Sequence, residues 1–168
     1  RGAAVKLPEA ARLRLQFLCR VVERETRYLQ QTTQRLFTDA FTAQAVAQLE
    51  SDPDRAERVE AFVGRFGRLQ DTLGDKLIPA ILAALGEHCG AAADNLDRAE
   101  RLGFVASADE WFAMRGLRNQ MVHEYVEDPA VLWDALQAGR RYVPALADTA
   151  RALVAEAARR GWHPAPTG

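Results

Sequence analysis

Apolar residues recur every three or four positions along most of this chain, the spacing that places them on one face of an α-helix. No stretch shows the two-residue alternation of a half-buried strand. The pattern predicts a long first helix ending near Phe37, a short second helix from Thr42 to Glu50, and a central helix with an unbroken core face. That core face consists of Val59, Phe62, Val63, Phe66, Leu69 and Leu73.

Residues that start and stop helices divide the rest of the chain. Gly74 and Pro79 interrupt the central helix, but the apolar spacing continues to Leu85, so we predict a kink there and no domain boundary. A shorter helix from Ala91 to Leu102 precedes Gly103, a helix-ending glycine. The predicted helix starts are Pro8 in the first turn of the first helix, Asp52 capping the central helix, Ser107 with Glu110 as a capping box for a helix reaching Tyr125, and Asp128 before the last helix.

These elements predict an all-α protein, an antiparallel up-and-down bundle of four to five main helices with short connections. A length of 168 residues suits one ordinary domain with a core of its own. We assign residues 1–162 to this single domain and residues 163–168 to a flexible C-terminal tail.

The charge balance limits the kind of nucleic-acid binding to expect. The chain has 22 basic and 23 acidic residues, a formal net charge of -1, and every basic residue except Lys6 and Lys76 is an arginine. A nearly neutral chain is not expected to coat nucleic acid, although it leaves room for a small anion site built from arginines. We therefore expect any phosphate chemistry to be local and RNA affinity to be modest.

The sequence predicts neither a metal site nor a cofactor. Cys19 and Cys89 have no spacing for a metal or a disulfide framework, and the adjacent His88 and Cys89 would point about 100° apart on a helix. Two isolated cysteines favour a reducing, cytoplasmic location. We expect no membrane association, because no apolar run reaches the ~18 residues of a membrane span and Arg1–Lys6 lacks the apolar stretch of a signal peptide.

The segment from Trp111 to the end of its predicted helix holds the candidate chemistry. At about 100° per residue, Asn119 and His123 lie 40° apart on one face, whereas Arg118 and His123 lie roughly 140° apart around the axis and about 7.5 Å along it. Arg118 and His123 share a ligand only if long side chains swing together, the helix end distorts, or a second copy of the helix supplies the missing half. The candidate site residues are Arg115, Arg118, Asn119, His123 and Tyr125.

A histidine and an arginine are sufficient to cleave RNA without a metal. A neutral imidazole removes the proton of a 2′-hydroxyl, whose oxygen then attacks the adjacent phosphorus, and a guanidinium offsets the charge that develops on the phosphoryl oxygens. Asn119 could orient His123 or bind a phosphate oxygen, and Arg115 could add to phosphate binding.

A purely structural interpretation stands beside the catalytic one. Arg118 and His123 could belong to a solvated or interhelical polar network. On this interpretation the core takes the apolar residues of the helix, namely Met114, Leu117, Met121 and Val122, with Trp111 and Phe112 as anchors. In the central helix, three charged residues break the apolar face, and we expect them on a solvated face rather than in a cleft. They are Asp71, Asp75 and Lys76.

The run from Arg118 to Tyr125, Arg-Asn-Gln-Met-Val-His-Glu-Tyr, resembles the signature of the HEPN superfamily. That signature is an arginine, usually followed by a polar residue, with a histidine four to six residues after the arginine. The version here is most similar to the HepT-like toxins and the related nucleotidyltransferase substrate-binding proteins. The resemblance is specific over Glu110–Asp128, weaker over Val59–Leu85, and does not cover the long first helix.

The resemblance implies a metal-independent endoribonuclease toxin that works as a homodimer, with Arg118 and His123 catalytic and Asn119 beside them. RNA is then the substrate, and no DNA binding is expected. It also implies a minimal nucleotidyltransferase antitoxin that uses ATP to transfer AMP to Tyr125, in a toxin–antitoxin or phage-defence system. AMP on Tyr125 would add bulk and negative charge at the anion site and repel RNA.

Two alternatives remain open at this point. The chain could be a non-catalytic HEPN partner, either the substrate-binding subunit or the antitoxin of a nucleotidyltransferase. It could also be a helical interaction module in which the motif is a coincidence.

Overall fold

The part of the chain that the computed structural model describes, residues 6–124 and 127–165, contains helices and no strand. This confirms the all-α prediction. If the interrupted central helix is counted as one element, this part of the chain has five main helical elements and a short second helix. None of the described helices is both long enough and apolar enough to cross a membrane. The helices are α1 (Glu9–Leu36), α2 (Ala43–Ala47), α3 (Pro53–Asp71), α4 (Ile78–Ala84), α5 (Ala92–Arg101), α6 (Ala108–Glu124) and α7 (Pro129–Arg159).

Four of these elements form a closed ring around the core. Helix α1 packs against α3 and α7, and α6 packs against the same two helices. Helix α5 lies against α4 and α6, and α2 lies against α7. One hydrophobic core draws on all seven helices, and burial of each large apolar side chain in it contributes about 1.5–3 kcal/mol.

The predicted helix starts are confirmed at three positions. A side-chain oxygen of Asp52, Ser107 and Asp128 accepts a hydrogen bond from a backbone N–H of the first turn, at 3.2, 3.1 and 3.0 Å. Pro8 precedes α1 instead of lying in its first turn, because the helix begins at Glu9. Gly103 follows α5 with φ +83°, a left-handed conformation that suits the predicted terminating glycine.

The central helix changes pitch where the kink was predicted. After α3 the chain passes through a wider, π-type turn at Thr72–Leu77 and continues as α4. Gly74 lies in this turn against the indole of Trp111, since a Cβ there would approach the indole Nε1 to 3.1 Å. Pro79 falls in the first turn of α4. Residues on both sides of the turn belong to one core, so the interruption is not a domain boundary.

The ordered bundle extends slightly beyond the predicted boundary at residue 162. Trp162 is buried, and the Nε2 atom of His163 lies 2.9 Å from the Oε1 atom of Glu23 on α1. The assignment of His163 to a flexible tail is therefore wrong, because this side chain has a polar partner on the bundle surface. Residues 166–168 of the predicted tail lie outside the described residues.

The two cysteines provide a chemical test of the packing of α1. Cys19 is fully buried and burial raises the pKa of its thiol to about 12, whereas Cys89 is exposed. Because the thiolate is the reactive form, we expect a thiol reagent at pH 8 to modify one cysteine in the native protein and two after denaturation.

Peptide mapping should place the native label on Cys89, and the Cys89→Ser variant should take up no label until it unfolds. Rapid native labelling of Cys19 would show that α1 is not packed as described.

Candidate functional site

Helix α6 carries the motif and divides it between the core and solvent. Trp111, Met114 and Met121 are buried, which confirms the prediction that the two methionines belong to the core. Asn119 and His123 lie on the exposed side. The helix therefore presents its two smaller polar candidates to solvent while its apolar residues hold it against α3 and α7.

The exposed side of α6 is not a simple polar surface. Phe112 and Val122 are 39% and 52% exposed, so the prediction that both belong to the core is wrong, because they lie on the side of α6 that faces away from it. Ala113 and Gly116 are also exposed, and they leave this side of the helix with little side-chain bulk. Exposed apolar residues on a helix can mark a surface that a partner covers.

Arg118 reaches from α6 to α3, where it forms a two-point ion pair with Asp71. The Nη1–Oδ1 distance is 3.1 Å and the Nη2–Oδ2 distance is 3.0 Å. The parallel contacts hold the plane of the guanidinium. The side chains are still 34% and 37% exposed, so an anion in solvent has access to the guanidinium.

A second ion pair repeats this arrangement about one turn away. Arg115 Nη2 lies 2.8 Å from Asp75 Oδ1. Asp75 is exposed, as expected, and Asp71 is partly exposed, but α3 and the following turn pass beside α6 and bring both carboxylates to its arginines. Lys76 is exposed, as expected.

Gly67 makes room for the Arg118 side chain. A Cβ at this buried position would lie 2.6 Å from Nε and 3.3 Å from Cδ of Arg118. Any side chain at position 67 therefore forces the arginine to move. This requirement was missed in the sequence, because a glycine within the apolar spacing of α3 gives no sign of the residue that will lie over it.

The predicted catalytic pair is not joined by a direct contact. Among the described residues, no hydrogen bond links Arg118 to His123. The two residues are five positions apart on the same helix. Tyr125, the predicted modification site, lies outside the described residues. Within one chain, the described site consists of an oriented arginine with an exposed amide and an exposed imidazole nearby on the same helix.

A partly buried carboxylate on α1 adjoins the Asp71–Arg118 pair. Oε1 of Glu25 accepts a hydrogen bond from Thr72 Oγ1 at 3.2 Å, and its Oε2 is buried with no hydrogen-bond partner. Burial raises the pKa of Glu25 above its ordinary value of 4.5, opposed by the Thr72 hydrogen bond and by the charge of Arg68. The sequence held a signal for this residue, because Glu25 occupies a core-spaced position between Val22 and Leu29.

Comparison with models of known protein families, with curated proteins and with solved structures finds no match to this chain. Within the described residues, no three His, Cys, Asp or Glu side chains come together as a set of metal ligands. The described groups supply a positioned cation at Arg118 and an exposed titratable ring at His123. We therefore interpret the site from this geometry and from the spacing of the motif.

The raised pKa of Glu25 predicts how stability depends on pH. A carboxyl with a higher pKa in the native state than in the unfolded state destabilises the fold as pH rises from the unfolded pKa through the native pKa. Glu25→Gln removes this charge and keeps an acceptor for Thr72. At pH 7 we expect the melting temperature of this variant to exceed that of the wild type. The increase should be about 2–4 °C for each kcal/mol by which ionisation of Glu25 destabilises the native protein.

The advantage should vanish below about pH 4, where the carboxyl is protonated in both states. Thermal melts at pH 7 and pH 4 measure the effect, with Glu60→Gln at an exposed position of α3 as the control. A Glu25→Gln protein that melts lower than the wild type at pH 7 would contradict the role assigned to burial.

Proposed function

We propose that this protein is a metal-independent RNA endonuclease that acts as a homodimer and is neutralised by a nucleotidyltransferase antitoxin. The observation that carries the proposal is the pairing of Arg118 with Asp71, which aims a solvent-accessible guanidinium from the same helix as the exposed His123. The spacing of these two residues is that of the HEPN signature.

In this proposal, Arg118 binds the phosphate to be cleaved. A guanidinium donates two parallel N–H groups to a phosphate as readily as to a carboxylate. A phosphate that approaches from solvent can therefore take the place of Asp71 on the guanidinium. As negative charge builds up on the phosphoryl oxygens in the transition state, the same N–H groups stabilise it.

His123 is the general base in this scheme. Its ring removes the proton from the 2′-hydroxyl, the 2′-oxygen attacks the adjacent phosphorus, and the 5′-oxygen leaves with a proton, which gives a 2′,3′-cyclic phosphate and a free 5′-hydroxyl. Asn119, one helical turn before His123, binds a phosphate oxygen or orients the ring. Arg115 contributes a second cation on the approach to Arg118.

The exposed side of α6 supports the proposed homodimer. Two copies that meet through Phe112 and Val122 would bury apolar surface that a single chain leaves in water. The small residues Ala113 and Gly116 allow two such helices to approach closely. A two-fold axis there would bring His123 of one copy toward Arg118 of the other, which removes the 140° separation within one helix.

Regulation in this proposal acts on Tyr125, directly after the last helical residue of α6. Transfer of AMP from ATP to its hydroxyl by the antitoxin, with release of pyrophosphate, would add a phosphodiester two residues after His123 in the chain. The added negative charge and bulk would exclude RNA. The system would operate in the cytoplasm, in toxin–antitoxin control or phage defence.

One observation favours a second candidate, the non-catalytic partner of a nucleotidyltransferase. Arg118 and Arg115 are already engaged by Asp71 and Asp75, as they would be in a purely structural network between α3 and α6. On that view a stable complex with the nucleotidyltransferase would form, and changing Arg118 or His123 would alter no activity.

The decisive experiment is RNA cleavage by the purified protein in the presence of EDTA. We expect His123→Ala to lower the cleavage rate by about 10²–10⁴-fold through loss of the base, and Arg118→Ala by about 10²–10³-fold through loss of charge stabilisation. His88→Ala, in the exposed segment between α4 and α5, is the matched histidine control. Intact RNA at high concentrations of a folded wild-type protein would favour the non-catalytic partner instead.

Two glycines of α3 test whether the position of Arg118 matters, independently of its charge. Gly67→Ala places a Cβ against the Arg118 side chain, whereas a Cβ at Gly64 meets nothing within 4 Å. We expect Gly67→Ala to remain folded, since a flexible side chain gives way, but to lose about tenfold or more in cleavage. Gly64→Ala should cleave within about twofold of the wild type and be stabilised by up to ~1 kcal/mol.

Circular dichroism and thermal melts establish that both alanine variants are folded before cleavage is compared. Equal cleavage by the two would show that the orientation of Arg118 is not required.

A further inference from the structure

Three neighbouring depressions follow one another between α1 and α3. The first depression, about 310 Å³, lies between Phe17, Tyr28 and Arg68. The second, about 380 Å³, shares Tyr28, and the third, about 460 Å³, is joined to the second through Arg65. We call these three depressions together the α1/α3 groove. From Phe17 to Arg35, α1 rises by 18 residue steps, or about 27 Å.

The groove concentrates arginines that have no carboxylate partner. Within the described residues, none of its six arginines forms an ion pair, whereas Arg115 and Arg118 on α6 are both paired. Three acidic residues line it, Asp54 and Glu57 at the far end and Glu25 near the site. The six arginines are Arg20, Arg24, Arg35, Arg58, Arg65 and Arg68.

An aromatic ring lies between these charges and is held in place. The guanidinium of Arg65 lies over the Tyr28 ring, 5.4 Å from its centroid, and donates hydrogen bonds to the Tyr28 carbonyl and to Thr32 Oγ1. Tyr28 is nonetheless 45% exposed. An exposed, oriented ring among cations is the combination that binds single-stranded nucleic acid, because bases stack on the ring while the cations meet the phosphates.

One end of the groove is linked to the candidate site through α3. Glu25 lines its first depression and accepts a hydrogen bond from Thr72, which directly follows Asp71, the partner of Arg118. Helix α6 packs against α3, so a strand in the groove would cross the exposed side of α3 at Asp71 to reach Arg118. At the ~3.4 Å rise of a stacked strand, 27 Å corresponds to roughly eight nucleotides.

We propose that the α1/α3 groove is the binding track for single-stranded RNA, with Arg24 and Arg68 contacting phosphates and Tyr28 stacking on a base next to the cleavage site. This inference rests on the proposed RNA substrate, but it concerns a surface outside the HEPN motif. It assigns a role to the long first helix, which the motif does not cover.

The test measures binding separately from cleavage. A fluorescein-labelled 12-nucleotide RNA with 2′-O-methyl groups has no free 2′-hydroxyl, so it binds without being cut. We expect the double variant Arg24→Gln, Arg68→Gln to weaken binding at least tenfold in fluorescence anisotropy. The slope of log affinity against log salt should become shallower by about 1.4, as expected for two lost phosphate contacts on a single strand.

The matched control removes the same charge from the other side of α1. Arg27 and Arg151 line a separate depression between α1 and α7, and the double variant Arg27→Gln, Arg151→Gln should bind within about twofold of the wild type. Tyr28→Ala should weaken binding about fivefold or more, and Tyr28→Phe should not. Glu25→Gln should tighten binding, because it removes a negative charge from the groove.

Equal loss in the two double variants would overturn the proposal, since bulk charge would then explain the binding. The proposal also fails if the double variant Arg24→Gln, Arg68→Gln, here called the groove variant, binds RNA like the wild type but differs from it in oligomeric state by light scattering. The groove would then contact another copy of the chain. His123→Ala should keep full affinity for the uncleavable RNA. If His123→Ala still cuts ordinary RNA while the groove variant loses binding, the catalytic assignment fails and the groove stands.

Discussion

The contact between Arg118 and Asp71 over the bare backbone of Gly67 is the interaction that gives this bundle a defined site. As a stabilising contact it is minor, because an ion pair that is one-third exposed contributes about 1 kcal/mol or less. The core already holds α3 and α6 together through Phe62, Phe66 and Met121, all fully buried. What the ion pair adds is direction, since it fixes a flexible arginine in one plane at the surface. The glycine beneath it is what allows that plane to lie so close to α3.

The distance along the chain between interacting residues decides which features could be predicted from the sequence. Helix limits and caps depend on residues a few positions apart, so Asp52, Ser107 and Asp128 could be assigned directly and are confirmed. Arg118 and Asp71 are 47 positions apart, and their pairing depends on how α3 passes α6, which no local pattern records. An aspartate in an apolar helix face has the same local pattern whether it meets solvent or an arginine. The sequence therefore indicated Arg118 as a candidate, but it did not reveal the partner that orients this arginine.

Helix α6 carries apolar residues on its exposed side as well as on its buried side, and so does α1, where Phe17 and Tyr28 are exposed. Helix α3 has one apolar face, which the ring of helices covers. On α6, Trp111 and Met114 are buried, whereas Phe112 and Val122 are not. In a single chain, such a helix leaves part of its apolar surface exposed to water. The motif residues Asn119 and His123 share the uncovered side, so the surface that is open to a partner is also the surface that carries the candidate chemistry.

The distribution of ion pairs allows a chain of net charge -1 to bind RNA in the proposed function. At Arg118 an incoming phosphate must displace the carboxylate of Asp71. The loss of that ion pair offsets much of the attraction between phosphate and guanidinium, so the net affinity is small. In the α1/α3 groove no arginine forms an ion pair among the described residues, although Glu25, Asp54 and Glu57 line it. On the proposed function, affinity would come mainly from the groove, and the strand held there would bring one phosphate to Arg118 at high local concentration. Binding energy gained away from the reacting atoms would then drive the exchange at the site, which is how remote contacts contribute to the rate of a chemical step.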